Sequence, residues 1–232
     1  MLGIIGAMDE EVAKLQENMA DAVIVEKAGM KFFSGKLMGK DVVVVRSGIG
    51  KVNAAVCSQI LADEFHVSAI VNTGIAGSLR SEINIGDIVL STDALQHDMD
   101  AAAFGYPAGQ IPRMDVLAFP ADKTLLELAE TCCREVNPEI GVWTGRVVSG
   151  DQFISSKEKK NWLVETFGGS CTEMEGAAIA QAAYLNGIPY LVVRAISDKA
   201  DDSANMDYQE FEAAAITHSV NLLLALAERF HS

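Results

Sequence analysis

Basic residues are scarce in this chain. It contains 18 lysines and arginines against 32 aspartates and glutamates, which gives a formal net charge of −14. Proteins that bind DNA, RNA or anionic membrane surfaces need positively charged patches. The one lysine-rich run, residues 157–160, is diluted by a glutamate and is typical of a solvated helix face. We therefore expect no nucleic acid and no membrane as a partner, and no polyanionic substrate.

Patterns that bind metals or form disulfides are lacking as well. The four cysteines, Cys57, Cys132, Cys133 and Cys171, show no CxxC spacing, and the four histidines are scattered. Zinc sites and secreted disulfide frameworks both depend on regular spacing of their ligands or cysteines. The sequence thus predicts reduced thiols, no metal and no cofactor.

Long apolar runs are also missing. No stretch approaches the roughly 20 apolar residues that a membrane-spanning helix needs. The first residues pass directly into a short apolar strand, without the basic segment and cleavage site of a signal peptide. These features predict a cytoplasmic location.

Half of the residues are hydrophobic, and short apolar strands alternate with amphipathic helices along the chain. This alternation predicts an α/β fold, with a central mixed and twisted β-sheet flanked by helices. Because there is no repeat, linker or low-complexity tract, we expect residues 1–232 to form a single domain. In the helix that ends near Phe65, we expect Val52, Val56, Ile60 and Leu61 to face the core.

The strand predicted at residues 189–193 is followed by an unusual concentration of polar side chains. Arg194, Ser197 and Asp198 come directly after this apolar run. In open α/β sheets, ligands bind outside the carboxyl ends of the strands. Asp198 is therefore a candidate catalytic residue, although Ser197 or Asp198 would also suit the start of a loop or a helix cap.

Acidic residues follow other strands too. Glu11 comes after the first strand, and Glu173 and Glu175 flank a methionine before a helix rich in small residues. If that stretch is extended, the two glutamates point to the same side. Such a pair needs a cation, a sugar diol or an arginine, and Arg194 is the obvious candidate. The alternative is that these acids merely cap helices.

Paired carboxylates without a metal motif suit acid–base hydrolysis at an acetal-like carbon, such as an N-glycosidic bond. One acid activates water while another protonates the departing base. The acidic turn at residues 8–11 disfavours phosphate. The glycines at 48 and 50 lack the third glycine of a dinucleotide-binding loop. The residues alone therefore indicate a hydrolase of this class without identifying its substrate.

Six segments together carry a family resemblance, and they lie at residues 3–11, 47–52, 72–74, 148–154, 173–175 and 194–198. As a set and in this order, they resemble the 5′-methylthioadenosine/S-adenosylhomocysteine nucleosidases of the nucleoside phosphorylase superfamily. The resemblance spans nearly the whole chain. It implies a nucleoside phosphorylase-like fold and hydrolysis of methylthioadenosine, S-adenosylhomocysteine and 5′-deoxyadenosine to adenine and the 5′-substituted ribose.

The resemblance also implies roles for the polar residues. Asp198 would protonate or hydrogen-bond adenine N7, with Ser197 orienting its carboxyl group. Glu11 would activate the attacking water, which Glu173 and Arg194 would help to hold.

The other implied contacts involve the sugar, the base and the 5′ group. Glu175 would bind the ribose 2′- and 3′-hydroxyls, with Met174 under the sugar. Phe153 would stack on the adenine, and the Ile154 backbone would read the edge of the base. The alkylthio group would meet an apolar wall formed by Met8, Ile49 and Tyr208. Methionine is a suitable neighbour for a thioether because its sulfur is polarisable.

The family resemblance further implies a homodimer, in which Phe104, Tyr106 and Pro112 complete the site of the partner subunit. Two residues depart from the family pattern. Ile75 stands where some members have a serine that is a possible partner of the catalytic aspartate, and Tyr208 stands where phenylalanine is common.

Three alternatives remain at this point. A phosphate-dependent nucleoside phosphorylase needs an anion site, which the acidic turn disfavours. A futalosine-type hydrolase would use the same chemistry on a different 5′ group. A nucleoside-binding sensor without activity would not need both Glu11 and Asp198.

Overall fold

The computed structural model describes residues 1–231, apart from the side chains of residues 205, 206, 209 and 210. Its strands are β1 (Leu2–Gly6), β2 (Ala20–Lys27), β3 (Met30–Leu37), β4 (Lys40–Arg46), β5 (Ala69–Ser78), β6 (Ile88–Gln96), β7 (Phe119–Pro120), β8 (Val142–Ser149), β9 (Cys171–Glu173) and β10 (Tyr190–Asp198). Its helices are α1 (Asp9–Glu17), α2 (Lys51–Phe65), α3 (Lys123–Val136), α4 (Lys157–Phe167), α5 (Gly176–Asn186) and α6 (Ala204–Arg229).

All of these strands belong to one mixed sheet, in the order β10-β6-β8-β9-β5-β1-β4-β3-β2, with β7 paired to β6. Strand β10 also pairs with β5, so β10, β6, β8, β9 and β5 close on themselves. The sheet is therefore a barrel on one side and an open, twisted extension on the other. This confirms the predicted α/β fold with a mixed sheet and adds the closure of the barrel.

Helices cover both faces of the sheet. One buried apolar cluster joins β1, β4, β5 and β10 to α1, α3 and α6. A second cluster joins the opposite face to α2 and α5. Strands β5 and β10 are buried along their whole lengths, because they lie between these two layers.

The pairing of β10 with β5 determines where the polar end of β10 lies. Arg194 pairs with Gly74, and Val192 pairs with Asn72. The register then shifts between Ile196 and Asp198, so that Asp198 pairs with Gly77. An extra residue of this kind bends a strand and redirects its side chains. The irregularity turns Asp198 towards the space above the barrel.

The predicted orientation of α2 is wrong for two residues. Val52 and Val56 are 75% and 40% exposed, whereas the buried residues of this helix are Ala54, Cys57, Ser58 and Leu61. Helix α2 packs beside α5, whose buried face consists largely of alanines. Small side chains on both helices allow them to approach closely, and the valines are left on the outer side.

Among the described residues, no helix has the length and hydrophobicity that would let it cross a membrane.

Candidate active site

A cavity of about 470 Å³ opens beside the rim of the barrel. It is lined by residues of β5, β9 and β10 and of the segments that follow β1, β4, β8, β9 and β10: Ala7, Met8, Glu11, Ile49, Ile75, Ala76, Gly77, Phe153, Thr172, Glu173, Met174, Glu175, Ser197, Asp198 and Tyr208. A smaller space of about 30 Å³ adjoins it near Phe153, Ile154 and Asp198. The cavity thus brings together most of the residues predicted from the sequence.

Glu11 lies in the first turn of α1 and is 4% exposed. Its Oε2 accepts hydrogen bonds from the backbone N–H groups of Ala7 at 2.6 Å and Met8 at 3.0 Å. Its Oε1 accepts one from the Ile75 N–H at 3.2 Å. Burial raises the pKa of Glu11, although Arg194 and these three N–H groups oppose the rise. Glu11 is therefore held firmly, as a stronger base than an exposed glutamate.

Glu173 ends β9 and is held from several directions. Its Oε2 accepts hydrogen bonds from the N–H groups of Glu175 at 3.1 Å and Gly176 at 2.7 Å, and it pairs with Arg194. Its Oε1 accepts a hydrogen bond from the Ser149 hydroxyl. That hydroxyl in turn accepts the N–H of Ala177 at 2.7 Å. Glu173 therefore has few free lone pairs and serves mainly to hold its neighbours.

Glu175 precedes α5, and its carboxylate faces the cavity. Its Oε1 accepts the Gly50 N–H at 2.8 Å, and its Oε2 lies 3.6 Å from Arg194 Nη2. Burial, with the neighbouring Glu173 charge, raises the pKa of Glu175 to about 7, and Arg194 and the Gly50 N–H limit the rise.

Arg194 lies behind this group and is 1% exposed. Its Nη2 donates to Asn72 Oδ1 at 2.6 Å and to Glu173, and its Nη1 donates to the Thr73 carbonyl at 3.4 Å. A Cβ at Gly74 would overlap Nη1 and would lie 2.6 Å from Glu11 Oε1. Glycine at position 74 thus leaves the room in which the guanidinium lies beside the carboxylates.

Each of the three glutamates accepts hydrogen bonds from backbone N–H groups at the start of a helix. Glu11 accepts N–H groups at the start of α1, Glu173 accepts them at the start of α5, and Glu175 accepts one at the start of α2. The N-terminus of a helix carries a partial positive charge and unpaired N–H donors. Three helix ends and one guanidinium therefore offset the cost of placing three carboxylates around one cavity.

Asp198 ends β10 and is 2% exposed. Its Oδ1 accepts the Ala200 N–H at 2.7 Å, and its Oδ2 accepts the Ser197 hydroxyl at 2.9 Å. Burial raises the pKa of Asp198, and these two hydrogen bonds oppose the rise. This carboxyl group is separate from the glutamates, and its raised pKa suits it better than an exposed aspartate to hold a proton.

The rest of the cavity is apolar or aromatic. Tyr208 contacts Phe153 edge to face, with 6.1 Å between ring centroids. Its hydroxyl donates to Glu212 Oε1 at 2.9 Å and lies 3.5 Å from Met8 Sδ. Phe153 and Ile49 are about half exposed, so their side chains border the opening.

Three predicted residues lie away from the cavity of their own chain. Phe104 is 85% exposed, and Tyr106 and Pro112 belong to the same irregular segment between β6 and β7. Arg194 also does not line the cavity directly, because Glu173 and Glu175 lie in front of it. The contribution of the first three to a partner subunit stays a prediction.

The structure partly supports the simpler interpretation of the acids as helix caps. Glu11 and Glu173 both accept hydrogen bonds at helix starts, and Asp9 is the first residue of α1, directly after the N-cap residue Met8. The stretch from Glu173 to Glu175 is not extended throughout, since Glu175 has turned into the start of α5. The two carboxylates nevertheless meet at Arg194, as predicted.

Sequence reasoning missed three supporting residues. Asn72 orients Arg194, Ser149 connects Glu173 to α5, and Gly50 donates to Glu175. All three belong to segments that carried the family resemblance, yet serine, asparagine and glycine are so common in turns that their identity alone signals no role.

Among the described residues, no group of three or more His, Cys, Asp or Glu side chains is placed to hold a metal ion.

Comparison with known proteins agrees with this arrangement. Residues 1–228 match the family model described as the phosphorylase superfamily. A protein of Staphylococcus haemolyticus named 5′-methylthioadenosine/S-adenosylhomocysteine nucleosidase is 41% identical over 227 residues, covering 97% of this chain and 98% of the relative.

Solved structures show the same fold. The nucleosidase of that name from Neisseria meningitidis, in complex with methylthio-immucillin-A, has a TM-score of 0.95 and 36% identity, and the match covers 99% of both chains. A futalosine hydrolase of Helicobacter pylori has a TM-score of 0.93 and 34% identity, with 99% of this chain and 97% of that chain covered. The chain belongs to the phosphorylase superfamily and, within it, to the 5′-methylthioadenosine/S-adenosylhomocysteine nucleosidase family.

Proposed function

We propose that this protein is an N-glycosidic hydrolase that converts 5′-methylthioadenosine and S-adenosylhomocysteine, and also 5′-deoxyadenosine, to adenine and the 5′-substituted ribose. The observation that carries this proposal is a pair of buried carboxyl groups that line one cavity, Glu11 in the first turn of α1 and Asp198 at the end of β10. The family of the chain supports the same reaction.

The two acids are suited to different steps. Burial raises the pKa of Asp198, which favours the protonated carboxyl group, and we assign this group to give its proton to adenine N7 so that the base leaves in neutral form. Ser197 orients the carboxyl group through its hydrogen bond to Oδ2. Glu11 takes a proton from the attacking water, and its raised pKa makes it a stronger base. Glu173 and Arg194 are assigned to hold that water.

The remaining lining residues suit an alkylthio nucleoside. Glu175 presents a carboxylate that can accept hydrogen bonds from both ribose hydroxyls, with Met174 beneath the sugar. Phe153 and Ile154 line the adjoining space, and we assign the Phe153 ring to stack on the adenine and the Ile154 backbone to read its edge. The 5′ substituent would meet the apolar and polarisable wall formed by Met8, Ile49 and Tyr208.

Tyr208 and Ile75 depart from the family pattern without removing a contact in this cavity. Ile75 uses its backbone N–H to hold Glu11, and Asp198 finds its partners in Ser197 and Ala200. The Tyr208 hydroxyl is engaged by Glu212. The catalytic aspartate is therefore held without a serine at position 75.

A homodimer would complete the site. Phe104 is 85% exposed, and Ile49 and Val52 at the start of α2 are 54% and 75% exposed. Large apolar side chains exposed in this number are typical of a protein interface. We assign these exposed side chains to contact with a second copy, whose Phe104, Tyr106 and Pro112 would border the cavity.

The number of domains and the location in the cell are two further predictions from the sequence. Residues 1–232 are taken as a single catalytic domain, and the cytoplasmic location stays a prediction.

A phosphorylase is disfavoured because the described residues that line the cavity include no lysine or arginine, and Arg194 is already paired with carboxylates. Phosphate would meet the negative charges of Glu11 and Glu175 without a cation to balance it.

The test is the release of adenine from methylthioadenosine in buffers with and without phosphate, with the sugar product identified. Equal rates and free methylthioribose are expected. Release that requires phosphate and yields a sugar phosphate would contradict hydrolysis. Tight binding without release would favour a sensor, and release only from futalosine-type substrates would assign a different 5′ group.

A further inference from the structure

A ring of hydrogen bonds outside the cavity joins three loops that carry site residues. Lys51 Nζ donates to Asp98 Oδ1 at 2.6 Å. Asp98 Oδ2 accepts the Asp151 N–H at 3.0 Å, and Asp151 Oδ1 accepts the Lys51 N–H at 2.9 Å. We call this closed set the Lys51–Asp98–Asp151 ring. It connects the loops that follow β4, β6 and β8.

Neighbouring contacts make the ring rigid. Lys51 Nζ also donates to Gln96 Oε1 at 3.0 Å, at the end of β6. The His97 N–H donates to the Ser149 carbonyl at 2.9 Å, which joins β6 to β8 just before the ring. The Lys51 and Asp98 side chains are only 19% and 15% exposed. An ion pair so little exposed is less screened than one on the surface.

The ring controls the direction of one backbone N–H that reaches the cavity. Gly50 precedes Lys51, has a φ of +97°, and donates its N–H to Glu175 Oε1 at 2.8 Å. A side chain at position 50 would be strained at this φ, and its Cβ would lie 3.1 Å from Asp151 Oδ1. Because the Gly50 and Lys51 N–H groups are consecutive, the ring that fixes the second also fixes the first.

We infer that Lys51 and Asp98 are positioning residues for the ribose-binding carboxylate. They hold the Gly50 N–H on Glu175 Oε1 and so leave Oε2, which lies 3.6 Å from Arg194 Nη2, to meet the ribose hydroxyls. Neither side chain is among those that line the cavity, so both act through Glu175 rather than on the substrate. The inference rests on the proposed function, since that function assigns the ribose to Glu175.

The test is a double-mutant cycle of Lys51→Met and Glu175→Gln, read as kcat/KM for methylthioadenosine. We expect Lys51→Met alone to lower kcat/KM by about tenfold, because it loosens a hydrogen bond to a charged group. In the Glu175→Gln background the same change is expected to cost less than about twofold, because residues that act through one another are not additive. Lys51→Arg, which keeps the ion pair, is expected to restore most of the activity.

Lys36→Met is the matched control, because Lys36 pairs with Asp41 at 2.7 Å on the exposed β3–β4 edge. It is expected to leave kcat/KM unchanged. If Lys51→Met fails to fold, as judged by thermal melting, Asp98→Asn takes its place in the cycle.

Equal losses from Lys51→Met in both backgrounds would overturn the inference while leaving the hydrolase intact, and so would the absence of any loss. A wild-type protein that releases no adenine from methylthioadenosine would overturn the proposed function and this inference with it.

Discussion

Asp198 shows how a single carboxyl group acquires its role from its surroundings. It is almost fully buried and accepts only one N–H and one hydroxyl, whereas Glu11 accepts three N–H groups. Burial raises the pKa of both acids, and the fewer hydrogen bonds to Asp198 leave its ionised form less stabilised. Of the two acids, Asp198 is the one suited to donate a proton.

We expect Asp198→Asn to lower kcat for methylthioadenosine by roughly 10²–10⁴-fold, the usual cost of losing a general acid. Asparagine keeps the shape of the side chain, so the melting temperature should change little. The control is Asp21→Asn on the exposed edge strand β2, which should retain full activity. Near-full activity of Asp198→Asn would show that another group protonates the base.

Glu175 gives a prediction for stability. Its pKa of about 7 in the folded protein exceeds the usual value of 4.5, so the folded state binds a proton more tightly than the unfolded chain does. The stability that this provides is present below pH 4.5 and is lost as the pH rises through about 7. Wild type should therefore lose up to roughly 3 kcal/mol relative to Glu175→Gln between pH 4.5 and pH 8.

Urea unfolding of wild type and Glu175→Gln at both pH values measures this difference. Glu26→Gln is a suitable control, since the Glu26 side chain is 71% exposed. Parallel pH dependence of wild type and Glu175→Gln would show that Glu175 ionises normally.

At the scale of residues, the sequence predicts the charged part of the site well. Acids and an arginine at strand ends are costly to bury, so Glu11, Glu173, Glu175, Arg194 and Asp198 stand out from the apolar strands around them. The supporting residues do not stand out, because a serine or a glycine is ordinary in any turn. Their roles depend on which distant atoms the fold brings to them.

At the scale of elements, the close approach of β5 and β10 explains the site. Gly74 pairs with Arg194, and the absence of a side chain there leaves space for the guanidinium. The positions of Arg194 and Glu11 both depend on this one backbone contact.

We expect Gly74→Ala to destabilise the protein by about 1–3 kcal/mol, the usual cost of overpacking a buried position. The value of kcat/KM should fall far more than the loss of folded protein alone explains, because Arg194 would have to move away from Glu173. Thermal melting and kcat/KM for methylthioadenosine measure the two effects.

Gly187→Ala is the control for Gly74→Ala, since that glycine ends α5 with a φ of +65° and faces open space. It should cost stability without loss of activity. A fully active Gly74→Ala would mean that Arg194 can shift without consequence.

Helix α2 shows why element orientation is harder to predict than element position. Its boundaries follow from sequence, yet the apolar stripe of Val52 and Val56 faces outward. The core takes Ala54 and Cys57 instead, because the alanines of α5 leave room for a close contact between the helices. Hydrophobicity alone favours the larger side chains and therefore selects the wrong face.

At the scale of the whole molecule, the proposed homodimer explains why Val52 and Val56 of α2 face outward. Val52→Glu places a charge on the exposed face of α2, and we expect it to yield monomers. The KM for methylthioadenosine should rise about tenfold or more, because substitutions at central interface residues have effects of this size on binding. Sedimentation and steady-state kinetics on the same samples measure both.

Val23→Glu is the matched control, because Val23 is 64% exposed on the edge strand β2, at the far end of the sheet from the barrel. It should affect neither the assembly nor KM. A monomeric Val52→Glu with unchanged KM would show that each chain holds a complete site.

The closure of the barrel could not be predicted from the sequence, and the reason is physical. It depends on β9, which has only three residues, and on the pairing of β5 with β10 across more than a hundred residues. Neither a short strand nor a distant pairing leaves a periodic signal in the chain. The α/β class, in contrast, follows from local alternation alone.

Closure also has a consequence for hydrogen–deuterium exchange. Each strand of the barrel is paired on two sides, so β5 and β10 cannot fray from an edge, and both are buried along their lengths. Their amides should exchange only when the entire molecule unfolds. Asn72, Arg194 and Asp198 lie on these two strands. The positions of these three residues should therefore last as long as the native state, and they need no nucleoside to assemble them.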